Sequence, residues 1–162
     1  MCGRFSRRQQ GSGNEFRSKK TMVPKIMRVL IVEDKIERQE ILSNLYRDHA
    51  WILVHTAARA INLLRAYDFD LISLDYDLAV PSKGEEIAAI IPETRNANAR
   101  VLIHSMNDVG AKRIMELLPK AEFVPISKIT RDNATFKRAR EEVWRGLDLD
   151  WGYVFSGRRK SK

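Results

Sequence analysis

The chain has 162 residues, 44% of them hydrophobic, which suits one domain with an ordinary core. Its single cysteine, Cys2, excludes an internal disulfide and points to a reducing, cytoplasmic setting, and no apolar run is long enough to span a membrane. The net charge of +8 sits at the ends: residues 1–26 carry seven Lys/Arg against one Glu, residues 151–162 carry four and no acid, and residues 27–150 hold 18 basic against 20 acidic side chains.

Residues 1–26 are rich in Arg, Gln, Gly, Ser and Lys and show no periodicity, so they read as a flexible basic arm that lacks the apolar stretch of a secretory signal. Residues 151–162 read as a second basic tail. Such ends attract nucleic acid or another polyanion, or simply keep the chain soluble.

From Met27 onward strands and helices alternate. The run Arg28–Val32 predicts a strand, followed by a helix over Ile36–Arg47 with Ile41, Leu42 and Leu45 at helical spacing. A strand over Trp51–His55 and a helix over Ala57–Tyr67 come next. Leu71–Leu74 is nearly all apolar, as a central strand covered on both faces requires. Pro81 and Gly84 mark a loop, after which Glu85–Glu93 predicts a helix disturbed near its end by Pro92.

A strand over Arg100–His104 leads to a helix over Val109–Leu118. Glu122–Ile126 predicts a short strand whose Pro125 suits an edge. The last helix spans Ala134–Leu147, with Asn133 as its N-cap. The aromatics Trp144, Trp151, Tyr153 and Phe155 precede Arg158 and Arg159. They either pack on the body or stack on nucleic-acid bases, and packing is the simpler reading.

Five successive strand–helix units predict an α/β fold: a five-stranded parallel sheet with helices on both faces. Ligands of such sheets bind beyond the carboxyl ends of the strands. Glu33 and Asp34 follow the first strand, Asp75 and Asp77 the third, and His104 and Ser105 end the fourth. Gathered carboxylates repel one another and need a cation, a shared proton or good solvation, and hard oxygen donors suit Mg²⁺ or another divalent cation. His104 and Ser105 alternate across their strand, so one should meet the core and the other the site rim. Asn107 reads as a helix start, and Gly84 and Gly110 as suppliers of loop geometry.

These residues resemble a response-regulator receiver domain over about residues 27–147. The resemblance implies a flavodoxin-like three-layer sandwich with strand order 2-1-3-4-5. It implies that Asp75 accepts a phosphoryl group, that Asp34, Asp75 and the carbonyl of Asp77 bind Mg²⁺, and that Ser105 and a lysine hold the phosphate. The nearest lysine, Lys128, falls about two residues late for that role. The stretches Leu74-Asp75-Tyr76-Asp77-Leu78 and His104-Ser105-Met106-Asn107-Asp108-Val109-Gly110 are more similar to the cyclic-phosphate-processing receiver subgroup. Its motifs are Leu-Asp-His-Asp-Leu and His-Ser-x-Asn-x-x-Gly, so Tyr76 replaces the central histidine here. This resemblance implies roles for Asp75, Asp77, His104 and Ser105 in handling a nucleotide or RNA phosphate.

Three functions follow: metal-dependent processing or sensing of a phosphate, signalling through phosphorylated Asp75, or a degenerate receiver that only binds a partner or nucleic acid. The opening Met1-Cys2-Gly3-Arg4-Phe5-Ser6 also resembles the start of the SOS-response-associated peptidases, whose exposed cysteine is the nucleophile. That match covers six residues, has no supporting segment elsewhere, and is read as coincidence.

Overall fold

The computed structural model describes residues 24–159. The expectations for most of the basic arm, for Cys2 and for the last three residues therefore lie outside the described residues.

Strand β1 (Arg28–Val32) leads into helix α1 (Ile36–Leu45), then β2 (Ala50–Val54), α2 (Ala57–Ala66) and β3 (Leu71–Leu74). Next come α3 (Gly84–Ile90), a 3₁₀ turn (Ile91–Glu93), β4 (Arg100–Ile103), α4 (Asp108–Leu117) and β5 (Glu122–Phe123). Three further helices follow: α5 (Ile126–Ile129), α6 (Asn133–Arg145) and α7 (Trp151–Ser156). All pairings in the main sheet are parallel, in the order β2-β1-β3-β4-β5. This is the flavodoxin-like order, with β1 and β3 adjacent at the centre, so the ends of those two strands become neighbours.

Alternation along the strands divides the core into two layers. Leu30, Val32, Ile72, Leu74 and Ile103 face α2, α3 and α4, where Leu64, Ile87 and Ile114 pack against them. Val29, Ile31, Leu71 and Leu102 face α1, α6 and α7 with Leu42, Val143 and Val154. Every side chain of β3 is buried. At about 25 cal/mol per Å² of apolar surface removed from water, these two layers are the main drive to fold.

Several boundaries differ from the sequence reading. The third helix begins at Gly84 and stops at Ile90, and Pro92 lies in the 3₁₀ turn that follows. Helix α6 is capped by Asp132, whose Oδ1 accepts from the Thr135 amide at 2.7 Å; Asn133 is its first helical residue. The ladder of β5 is two residues long rather than five. Beyond it, the amides of Val124 and Ile126 still donate to the carbonyls of Ile103 and His104. Pro125 falls between those two donors, where no N–H is needed, and it starts α5.

Residues 151–156 form α7, which packs on α6 with Val154 fully buried and Trp151 nearly so. Trp151 stacks on Phe155 with ring centroids 6.0 Å apart. Arg138 Nε donates to the Val154 carbonyl at 2.8 Å, and the guanidinium of Arg100 reaches the carbonyls of Leu147 and Leu149. No helix among the described residues is long and apolar enough to cross a membrane.

Candidate functional site

Because β1 and β3 run side by side, the residues that follow them converge. Glu33 and Asp75 are fully buried and Asp34 is partly so; these three each offer a carboxylate oxygen within 4.8 Å of the others. The turn from β1 into α1 holds Glu33 in place: its Oε1 accepts from the Lys35 amide at 2.8 Å. Asp75 Oδ1 accepts from the Tyr76 amide at 2.8 Å.

Two cationic or potentially cationic groups complete the cluster. Arg38, in the first turn of α1, sets Nε 3.1 Å from Glu33 Oε2 and Nη2 3.0 Å from Asp75 Oδ2. His104 Nε2 lies 3.2 Å from the same Glu33 oxygen, and its Nδ1 lies 2.9 Å from Ser73 Oγ. Burial also pushes the phenol of Tyr46, which neighbours Ser73, up to about 12. A buried polar line therefore runs from Ser73 through His104 to Glu33.

The two buried carboxyls respond oppositely to this setting. Burial pushes Glu33 upward, but the His104 and Lys35 hydrogen bonds, with the charges of His104 and Arg38, hold it below the usual carboxylate range. Burial dominates at Asp75 and raises its carboxyl, against the opposing hydrogen bond from Ser105 and the nearby His104 and Arg38.

His104 and Ser105 are both buried and follow directly on β4, which ends at Ile103. Each still joins the cluster, His104 at Glu33 and Ser105 at Asp75, so the division into one core and one rim residue does not hold.

Asp77 lies further out. Its carboxylate is exposed and accepts from Asn107 Nδ2 at 3.1 and 3.3 Å, while its backbone bridges to Lys83. Asn107 caps α4 as its position suggests, accepting from the Gly110 amide at 2.9 Å. Lys128 is exposed on α5 and has no ion pair with these carboxylates among the described residues.

Tyr76 is buried between α3 and α4. Its hydroxyl donates to Glu85 Oε2 and accepts from Arg113 Nη1, both at 3.3 Å. Lys83 Nζ stands 5.6 Å from the ring centroid. Gly84 and Gly110 matter here for space rather than loop conformation, since neither has positive φ. A Cβ on Gly84 would strike the Asp75 carbonyl and come within 3.0 Å of Tyr76 Cα, and one on Gly110 would strike the Tyr76 ring.

The sequence reading missed Arg38 and Ser73. Ser73 gave a signal, as the one hydroxyl in an otherwise apolar central strand. Arg38 gave a weaker one, lying one helical turn beyond Asp34.

The donor set can be tested for a cation from this geometry. Asp34 Oδ1 is buried and accepts no hydrogen bond, an arrangement that costs free energy unless a proton donor or a cation meets it. Three carboxylates of hard oxygen, one of them with such an open atom, fit a divalent cation.

Comparison with known proteins agrees with this picture. The family model described as the cyclic-phosphate processing receiver domain matches residues 28–120, more than half of the chain. The chain is similar to the receiver domain of HemR from Leptospira biflexa, in its non-phosphorylated form, with 27% identity and a TM-score of 0.57 over 78% of this chain and 98% of that one. It is also similar in fold to the Mn²⁺-bound form of the response regulator Rcp1, at 20% identity and a TM-score of 0.58 over 76% and 99% of the two chains. A signal receiver domain from Pseudomonas fluorescens Pf-5 matches with 13% identity and a TM-score of 0.54, covering 62% of this chain and 82% of that one. No curated protein matches.

Proposed function

The chain belongs to the cyclic-phosphate processing receiver family, and from that premise we propose that it processes or senses a nucleotide or RNA phosphate with the help of a divalent cation. One observation carries the reading: Glu33, Asp34 and Asp75 meet within 4.8 Å at the carboxyl ends of β1 and β3, with Asp34 Oδ1 buried and unpaired. These three side chains would hold the cation, with the Asp77 carbonyl as a further oxygen donor. When bound, the cation supplies charge neutralisation for phosphoryl oxygens.

The residues around it divide the remaining work. Asp75 would face the phosphoryl group, with one of its oxygens fixed by the Tyr76 amide. Ser105 lies beside it and can donate to a phosphate oxygen. His104 fixes Glu33 and is in turn fixed by Ser73, so it orients the acidic wall. Asp77 and Asn107 form a paired polar rim at the outer edge, suited to a sugar hydroxyl. Lys128, exposed on α5, is a candidate for outer contact with the phosphate.

Tyr76 takes the place of the subgroup's histidine and is tied to Glu85 and Arg113. That position favours sensing or binding over a proton-transfer step through residue 76, because the hydroxyl is already committed to those two partners. The Ser105–Asp75 proximity supports a second reading, in which Asp75 itself accepts a phosphoryl group.

Isothermal titration of the full chain with Mg²⁺ and Mn²⁺, beside Asp75→Asn, tests the cation site. Binding that is lost in the variant supports it, and no binding to the wild type removes it. Titration with 2′,3′-cyclic nucleotides, and incubation with acetyl phosphate followed by mass measurement, then separates the two readings.

A further inference from the structure

The acidic pocket already contains a positive charge, delivered by the chain itself. Arg38 spans two carboxylates on different strands, with Nε at Glu33 and Nη2 at Asp75, and its side chain is 18% exposed. The planar fork of a guanidinium suits this double contact as a lysine ammonium does not. The remaining oxygens of the two carboxylates are taken by backbone amides, Glu33 Oε1 by Lys35 and Asp75 Oδ1 by Tyr76. Only Asp34 Oδ1 is left without a partner in this group.

A divalent ion drawn to the same three carboxylates would meet Arg38 on two of them. Two cations a few ångströms apart in a part-buried pocket repel, so both cannot keep these contacts. The side chain has a route out, because it reaches solvent from the first turn of α1.

We propose that Arg38 is a tethered cation that competes with the divalent ion for Glu33 and Asp75. Without a bound ion it screens the buried carboxylates from one another and stabilises the pocket. When an ion binds, the guanidinium leaves both contacts and turns outward. The cation affinity of the protein is therefore set by an internal exchange. This rests on the reading of the pocket as a cation site.

The test uses the full chain and Mg²⁺ or Mn²⁺ alone. Arg38→Met should bind either ion about tenfold more tightly than wild type, a coupling of ordinary size for two mutually exclusive ligands. In EDTA the same variant should unfold at a lower temperature than wild type, and saturating Mg²⁺ should close that gap. Arg38→Lys keeps the charge but not the double contact, and its affinity should fall between the two.

In the wild type, the NMR signal of the Arg38 Nε–H should be protected in EDTA and lose that protection as Mg²⁺ is added. This last measurement decides the matter even if both variants fail to fold. Wild-type binding with unchanged or weaker affinity in Arg38→Met, or a protected Arg38 signal at saturating Mg²⁺, overturns the exchange and leaves the cation site standing. Absence of binding in wild type and both variants removes the cation site and the exchange with it.

Discussion

Gly110→Ala adds one methyl group where there is no room for it. The new Cβ would lie 2.7 Å from Tyr76 Cδ2 and closer still to Cγ and Cδ1. The ring cannot retreat freely: Tyr76 is 4% exposed and its hydroxyl is held by Glu85 and Arg113. Either the ring or the start of α4 must shift, and overpacking of this kind costs about 1–3 kcal/mol. Alanine is the better helix former by up to about 1 kcal/mol, an offset that is smaller in the first turn, where residue 110 lies.

The net expectation is a loss of about 1–2 kcal/mol, or a fall in Tm of about 5 °C for a domain of this size. Urea unfolding of wild type, Gly110→Ala, Tyr76→Ala and the double variant measures it as a cycle. In the Tyr76→Ala background the clash is gone and Gly110→Ala should become neutral or stabilising. A neutral or stabilising Gly110→Ala in the presence of Tyr76 would refute the packing argument.

Two further perturbations address groups distant from the acidic pocket. Asn96 is buried, accepts from the Phe69 amide at 2.7 Å and donates to the carbonyls of Leu64 and Tyr67 at 2.8 and 3.0 Å. Asn96→Ala strands all three backbone groups and should cost about 2–4 kcal/mol in urea unfolding, with the cation affinity unchanged once folded. Asp132 is held down to about 2 from 3.8, first by the Thr135 amide and then by Arg131 and the Thr135 hydroxyl. Its depressed value means that its contribution to stability is present above about pH 3.8 and is lost as pH falls through about 2. Thermal unfolding of wild type and Asp132→Ala across pH 2–6 should therefore show a difference in Tm that shrinks over that window.

The strand–helix alternation was legible because β3 is nearly all apolar and punctuation by Pro and Gly separates the units, while the sheet order was implied by the resemblance to receiver domains. Asp34 and Asp75 were legible for a related reason: an apolar run that stops on a carboxylate places that carboxylate at a strand end. Arg38 was not legible, because its role depends on how α1 is rotated relative to the strand ends, and the spacing of apolar residues leaves that rotation loose. His104 was named as a candidate, but its pairing with Glu33, 71 positions away in sequence, was hidden for the same reason. The strand β5 was expected but drawn too long, because Val124 and Ile126 keep single hydrogen bonds to Ile103 and His104 without forming a full ladder. Gly84 and Gly110 showed no sign of their true neighbours, since close approach between distant segments leaves no local pattern.

The buried line from Ser73 to Glu33 has a consequence for how this protein assembles. Its members come from β3 and from the residues that follow β4 and β1, so the line is complete only when three strands have found their register. Such long-range closures are slow and come late in folding. The acidic pocket is thus absent from any partly assembled chain, and an ion that binds there holds only the finished protein. By mass action, every such binding event raises the stability of the whole sheet.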